Sequence, residues 1–513
     1  MGPLQDIRET WARFWNMENP PVAFLKTRKW PILAVSLIVL VPCFWHRHIE
    51  AGDLGSHVYN AWLAQLIEKG QAPGLYITHQ WNNILFDVFL LYAANHAGFA
   101  IAEKVVVSLC VLVFFWGVFA FLSAVSGSTP WLLTPCLAML AYGYSFNMGF
   151  MNYYLSLGLG CFALALLWQA EKASTWVCGG LLAVLALVAH PIGFLWAVGT
   201  VAYVHLWRRI PEYWRLMLPA ACIAAFYALR RTFESNPAYE ASWLPGSFLL
   251  RNGADQLILF GHRYCYLYGA ALAWGAVSFL LAVWNAIRRE EQDWKPLRLT
   301  LELYILAVCV TALLPDNLRS SYYAGWIGLL VSRLTTITAI FGLAALACLP
   351  MRRWMGAGFA LCAGVFFVFL YLDTRTLDEL ERNAEKITAA LPYGTRIVAV
   401  VNAPGEWRVN FIGHAIERAC IKRCFSVANY EPSSRQFRIR VRAGSLVVTA
   451  SSEVAEDMAG GGYVVKPSDL PLTAIFQCGD SGITKLCAAP LTAGKKTEDA
   501  EEPEPPDEPD DEP

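Results

Sequence analysis

The chain is poor in charge. Only 16% of its 513 residues are Asp, Glu, Lys or Arg, against about 25% in a soluble domain. With 56% apolar residues, that deficit excludes an ordinary soluble protein, a disordered chain or a disulfide miniprotein over most of the length. Soluble-enzyme signatures are missing as well. There is no Walker loop, dinucleotide fingerprint, HExxH or GxSxG, so no nucleotide cofactor is expected and ATP-driven transport is disfavoured. The basic residues form no stripe that would track nucleic acid, which is not an expected partner. No small-x-small cleavage site follows the first apolar run, Trp30–Trp45, although Arg8, Arg13, Lys26, Arg28 and Lys29 precede it. That run reads as an uncleaved anchor.

What is present is a series of apolar runs. After the first come about 101–124, 131–147, 151–169, 174–189, 192–207, 216–230, 266–286, 298–314, 324–349 and 354–371. Several are shorter than the roughly 20 residues a perpendicular helix needs. The expected fold is an α-helical polytopic membrane protein of about 11 spans, with a small exported α/β domain at the C-terminal end. The positive-inside rule sets direction. If Ile84–Ala97 does not cross, Lys26–Lys29, Lys172, Arg208/Arg209/Arg215, Arg288/Arg289/Lys295/Arg298 and Arg352/Arg353 all share the side of the N-terminus. Arg230/Arg231 is the exception. Ile84–Ala97, which carries Asp87, Asn95 and His96, is therefore taken as a juxtamembrane or re-entrant helix. The localisation that follows is a multi-pass bacterial inner-membrane protein, N-terminus cytoplasmic and C-terminal domain periplasmic or extracellular.

The expected division is a cytoplasmic segment at 1–29, a transmembrane domain at 30–372 with an outer loop at 46–100, an exported domain at 373–492 and a disordered acidic tail at 493–513. From Thr497 onward there are ten acids and no base, a composition that builds no core. In the exported domain a helix is expected at Leu377–Leu391. Strands are expected at Arg396–Val401, Phe437–Val441, Leu446–Thr449, Tyr463–Lys466 and Thr473–Gln477. Cys420, Cys424, Cys478 and Cys487 also lie there. An even number in an oxidising compartment suggests two disulfides. The local pairing, Cys420 with Cys424 and Cys478 with Cys487, is one of three connectivities, and a zinc site is the alternative.

Candidate chemistry gathers on the outer side. The first loop opens His46-Arg47-His48-Ile49-Glu50-Ala51-Gly52-Asp53-Leu54-Gly55-Ser56-His57, and a helix at about 54–69 follows. Its apolar stripe suggests a helix lying on the bilayer. Asp53 is placed either to cap that helix or to act as a general base. Gly52 and Gly55 permit close backbone approach. Glu50 is a second candidate acid or metal ligand, and His57 a surface or partner histidine. Lys104, His190 and Arg319 are outer groups suited to an anionic substrate, although His190 equally suits a helix-end cap. Arg333 is the one charged residue in Ile327–Leu349. Intramembrane cations are costly and functional by default. Arg333 either binds phosphate through its planar fork or snorkels to the membrane edge.

A short N-terminus, one span, and a long outer loop with an acid ahead of a helix resemble the layout of the GT-C superfamily of membrane glycosyltransferases. The similarity covers roughly 30–372. It implies that Asp53 is the catalytic base or a metal ligand, so a divalent metal is compatible with it. It also implies a polyprenyl-phosphate sugar as donor. Relatives often carry two adjacent acids, whereas Glu50 and Asp53 here are separated. The resemblance implies transfer of a sugar to an envelope glycan or protein acceptor at the outer face of the inner membrane, among membrane lipids. A transporter or lipid flippase, and a non-catalytic envelope-assembly protein, are the alternatives. Phe150–Tyr154, His190-Pro191 and Tyr430-Glu431-Pro432-Ser433-Ser434 also look like family signatures, without assignable chemistry.

Overall fold

The structure is a computed structural model that describes residues 20–244, 251–289, 293–321, 323–478 and 483–500. The expected N-terminal segment before residue 20 and the acidic tail from 501 lie outside the described residues. Six helices among the described residues are long and apolar enough to cross a membrane: Phe99–Ser126, Glu212–Ser235, His262–Arg288, Trp294–Leu313, Leu330–Ala347 and Arg353–Ala390. Met151–Leu167 and Ala173–Ala189 are apolar but shorter. The chain is thus helical and membrane-spanning in character. Within Glu212–Ser235 no part of the apolar stretch is buried by the rest of the protein. Such a helix is stable only where hydrocarbon covers it. At the other extreme, Phe99–Ser126 packs closely on Met151–Leu167. A Cβ added to Gly158 would lie 2.8 Å from the Phe114 backbone, the small-residue approach that brings membrane helices together.

Several expected elements differ. The run 131–147 is not one helix. It breaks into Thr134–Ala141 and Tyr144–Asn147, with Gly143 extended between them. The Asn147 side chain donates to the carbonyls of Tyr142 at 2.6 Å and Gly143 at 3.1 Å, satisfying groups that a continuous helix would have used. Leu85–Ala97 is a helix of 13 residues, about 20 Å long at 1.5 Å per residue, short of the ~30 Å hydrocarbon core. The helix at the expected 372/373 boundary does not stop. Arg353–Ala390 runs unbroken for 38 residues, carrying the chain directly into the C-terminal region.

That region holds a four-stranded sheet in the spatial order Cys424–Ser426, Thr395–Val400, Thr473–Gln477, Leu486–Pro490. The first three strands are parallel and the last is antiparallel. Two of the expected strands are absent: 446–449 is irregular, and 463–466 contributes a single bridge, Val464 to Lys496. Ile439–Val441 does pair, but with Leu75–Ile77 of the first loop. Cys420 is joined to Cys424 and Cys478 to Cys487 by disulfides.

The first-loop helix, Leu54–Glu68, corrects its expected place on the bilayer. Twelve of its 15 residues are buried. Its stripe of Tyr59, Trp62 and Leu63 packs against Ile397, Ile412, Ile416 and Ile475 of the C-terminal region. An amphipathic pattern does not distinguish a lipid surface from a protein one. A side chain on Gly55 would collide with the His414 carbonyl oxygen, so the glycine lets the two backbones meet.

Candidate functional site

Two backbone hydrogen bonds fix the turn ahead of this helix. Gly52 N donates to Asn147 O at 2.7 Å and Asp53 N to Met148 O at 2.9 Å. The break in the 131–147 run therefore serves as a seat for Asp53. Gly149, at φ +80°, lets that segment pass beneath it; a Cβ there would lie 2.5 Å from Asp53 N. Asp53 occupies the N-cap position, but its side chain makes no capping hydrogen bond. Its carboxylate instead faces a cavity of about 410 Å³.

The same cavity is lined by His57, His190 and Arg333. His190 caps the following helix, its Nδ1 accepting from Ile192 N at 3.2 Å, and it is also among the residues that line the cavity. The Arg333 guanidinium lies over the Phe150 ring at 4.1 Å. Its Nε is buried with no hydrogen-bond partner. Among the described residues no carboxylate lies within ion-pair distance of Arg333, though Asp53 is near enough to attract it. A guanidinium left in this condition offers its fork to an anionic ligand.

His57 is buried and not at the surface. Its Nδ1 is 2.7 Å from Asp87 Oδ1 and 3.9 Å from Glu431 Oε1. Asn152 holds Asp87 in turn, donating to Oδ2 at 2.7 Å. Burial opposes a charge on His57, but Asp87, with Glu431 and Asp53, outweighs it and lifts the imidazole to about 9. The C-terminal region supplies a second charged pair. His414 Nδ1 lies 3.1 Å from Glu417 Oε2, and its Nε2 lies 3.7 Å from Asp53 Oδ1. Burial again opposes the charge; Glu417 and Asp53 outweigh it and raise His414 to about 9. Both imidazoles are therefore protonated at neutral pH. Glu431, buried beside Asp87, Glu417 and Asp53, is pushed well above the usual carboxylate range in spite of His57.

Three expected site residues lie elsewhere. Glu50 is buried beside Arg418, away from the cavity lining. Its neighbourhood is an ionic junction: Arg418 Nη1 is 3.0 Å from Glu103 Oε1, and its Nη2 is 3.3 Å from Glu381 Oε1. The same Nη2 donates to Ile49 O at 3.1 Å. Lys104 Nζ donates to the carbonyls of Cys43 and His46 at 2.8 and 3.0 Å, a structural tie. Arg319 sits on the strand Asn317–Ser320, half-exposed and 3.8 Å from Glu240. Length of loop and sign of charge had grouped these residues with Asp53. The turns of the first loop and the strand pairing separate them.

The sequence reading missed Asp87, His414, Glu417 and Glu431. Asp87 stood in a run judged only for spanning. His414 and Glu417 belong to no motif. Tyr430 and Glu431 lay in a segment noted as a signature; Tyr430 lines the cavity and Glu431 lies near His57, in a segment tied to the first-loop helix where Asn429 Nδ2 donates to Asn60 Oδ1 at 2.9 Å. Among the described residues no group of three or more His, Cys, Asp or Glu side chains could hold a metal ion. No family model, curated protein or solved structure matches the chain.

Proposed function

We propose that the protein is a membrane glycosyltransferase that moves a sugar from a polyprenyl-phosphate donor to an acceptor hydroxyl at the outer face of a bacterial inner membrane. The eleven-span topology, cytoplasmic N-terminus and exported C-terminal domain belong to the same reading. The observation that carries it is the shared cavity: an uncapped Asp53 carboxylate and an unpaired Arg333 guanidinium face one space beside apolar helices.

In this mechanism Arg333 holds the donor phosphate. Asp53 takes the proton from the acceptor hydroxyl as its oxygen bonds to the anomeric carbon. The bond from that carbon to the phosphate oxygen breaks, and the electron pair leaves with the lipid phosphate. The configuration inverts. His414 Nε2, 3.7 Å from Asp53 Oδ1, stands beside the carboxylate that takes the proton.

Purified protein in bilayers is assayed for transfer from a labelled polyprenyl-phosphate sugar pool. Asp53→Asn and Asp53→Ala are both expected to fold, because no side-chain cap is lost, and to lose about 10²–10⁴ in rate. A fully active Asp53→Asn would refute the assignment of the base and favour a transporter or an assembly protein.

A further inference from the structure

One wall of the cavity has taken no part so far. It is made by Gln80, Asn82 and Asn83 of one loop together with Gln436 from the C-terminal region. We infer that these four carboxamides form the subsite for the sugar ring, and that the ring is uncharged. This rests on the transferase reading above and narrows its substrate to a neutral hexose or pentose.

The four side chains have unused hydrogen-bonding capacity. Gln80 Nε2 donates to Asn82 O at 3.0 Å, but Gln80 Oε1 is buried without a hydrogen-bond partner among the described residues. An orphaned buried acceptor costs about 1–3 kcal/mol, so its retention at a cavity wall points to a ligand donor. The side chains of Asn82, Asn83 and Gln436 make no hydrogen bond to any other described residue. Asn152, the fifth carboxamide in the lining, is different. It accepts from Phe86 N and donates to Asn83 O and Asp87, so it is spent on structure. The loop is also held in an uncommon conformation. Asn83 has φ 54°, and Arg435, next to Gln436, has φ 59°, in the left-handed region that non-glycine residues occupy at a cost.

The chemistry matches a polyol. Each carboxamide offers a carbonyl acceptor and an NH₂ donor, and each sugar hydroxyl both donates and accepts. Phe437 and Tyr430, in the same lining, supply flat apolar faces for the C–H side of a ring. None of the four carboxamides carries charge. The carboxylate and the unpaired cation of the cavity, Asp53 and Arg333, are already assigned to proton and phosphate. A uronic acid or amino sugar would bring a charge that none of these four carboxamides neutralises.

Saturation-transfer NMR on the full chain in nanodiscs tests this with methyl glycosides as probes: neutral hexosides and pentosides, a hexuronide and an amino-hexoside. Farnesyl phosphate probes the Arg333 end separately. Neutral glycosides are expected to bind. Gln80→Leu and Gln436→Leu should each weaken them about tenfold, one lost hydrogen-bonding group each, while farnesyl phosphate binding stays within twofold. Arg333→Leu should do the reverse. Unchanged binding of farnesyl phosphate certifies that the leucine variants are folded. Preferential binding of the uronide or amino sugar would overturn the neutral class. Binding of farnesyl phosphate with no glycoside bound would overturn the subsite and leave the Asp53–Arg333 reading standing. Binding of neither would overturn both.

Discussion

Replacing Arg418 by methionine removes the cation at the centre of the buried junction. The arginine side chain is 5% exposed and bridges Glu103 and Glu381, while also donating to Ile49 O. Methionine fills much of the same volume, so the loss is one of charge rather than of packing. Removing one partner of a buried pair costs about 3–5 kcal/mol, because the remaining charges stay desolvated. For a domain of this size that is a fall in melting temperature on the order of 10 °C. The effect should depend on pH in a definite direction. Burial already raises the Glu50 carboxyl above its ordinary range, and Arg418 restrains that rise. A carboxyl raised by folding stabilises the folded state below its unfolded pKa and loses that contribution as pH climbs through the folded value. Without Arg418 the rise is larger. Arg418→Met should therefore be close to wild type at pH 5 and most destabilised at pH 8. Thermal melts of detergent-solubilised protein, followed by size-exclusion fluorescence at both pH values, measure this. Adding Glu103→Gln and Glu381→Gln should restore most of the loss at pH 8. Equal destabilisation at pH 5 and pH 8, with no rescue, would show that the junction is held by packing and not by charge.

Three other outcomes are expected. His57 is raised to about 9, so the stability contributed by its pairing with Asp87 is full below about pH 6.5 and lost as pH rises through about 9. Asp87→Asn should flatten that decline in melts between pH 7 and 10, and an unchanged slope refutes the pairing. Peptide mapping without reductant should recover Cys420 linked to Cys424 and Cys478 linked to Cys487; loss of the second link, which closes a short loop, should cost no more than about 3 kcal/mol. Leu446 is 67% exposed, so Leu446→Cys should react with an impermeant maleimide in intact spheroplasts, whereas labelling only after lysis would reverse the direction of the chain.

Much of the membrane architecture was legible because hydrocarbon demands long apolar helices, and composition alone reveals them. Phe99–Ser126 could be read directly, and so could the apolar first half of Arg353–Ala390, but not its unbroken run past the expected boundary. The run 131–147 could not, since its break depends on Asn147 reaching back to two carbonyls. Of the candidate site, Arg333 was found as the lone charge in an apolar run and Asp53, His57 and His190 as polar groups on the expected outer side, and all four line one cavity. Glu50, Lys104 and Arg319 were drawn in by the same criterion, which registers charge and not direction. His414 and Gln436 were illegible for another reason. Gln436 lines the cavity and His414 lies 3.7 Å from Asp53, each more than 300 positions along the chain from Asp53; the pairing of Ile439–Val441 with Leu75–Ile77 joins the two regions, and short strands of that kind leave little trace in sequence.

The unbroken helix Arg353–Ala390 makes the molecule a lever. At 38 residues it is about 57 Å long, with its foot in the apolar bundle and its far end packed on Ile416 and Ala419 of the C-terminal region, close to His414. A change of about 5° in its tilt moves that end by about 5 Å, whereas a misplacement of about 1 Å is enough to disable a catalytic arrangement. Tilt in turn answers to bilayer thickness. Reconstitution in lipids of graded acyl length should therefore give a sharp optimum in glycoside binding, and a flat response would mean that neighbouring helices clamp the lever. A sharp optimum would show that bilayer thickness reaches the cavity through this helix.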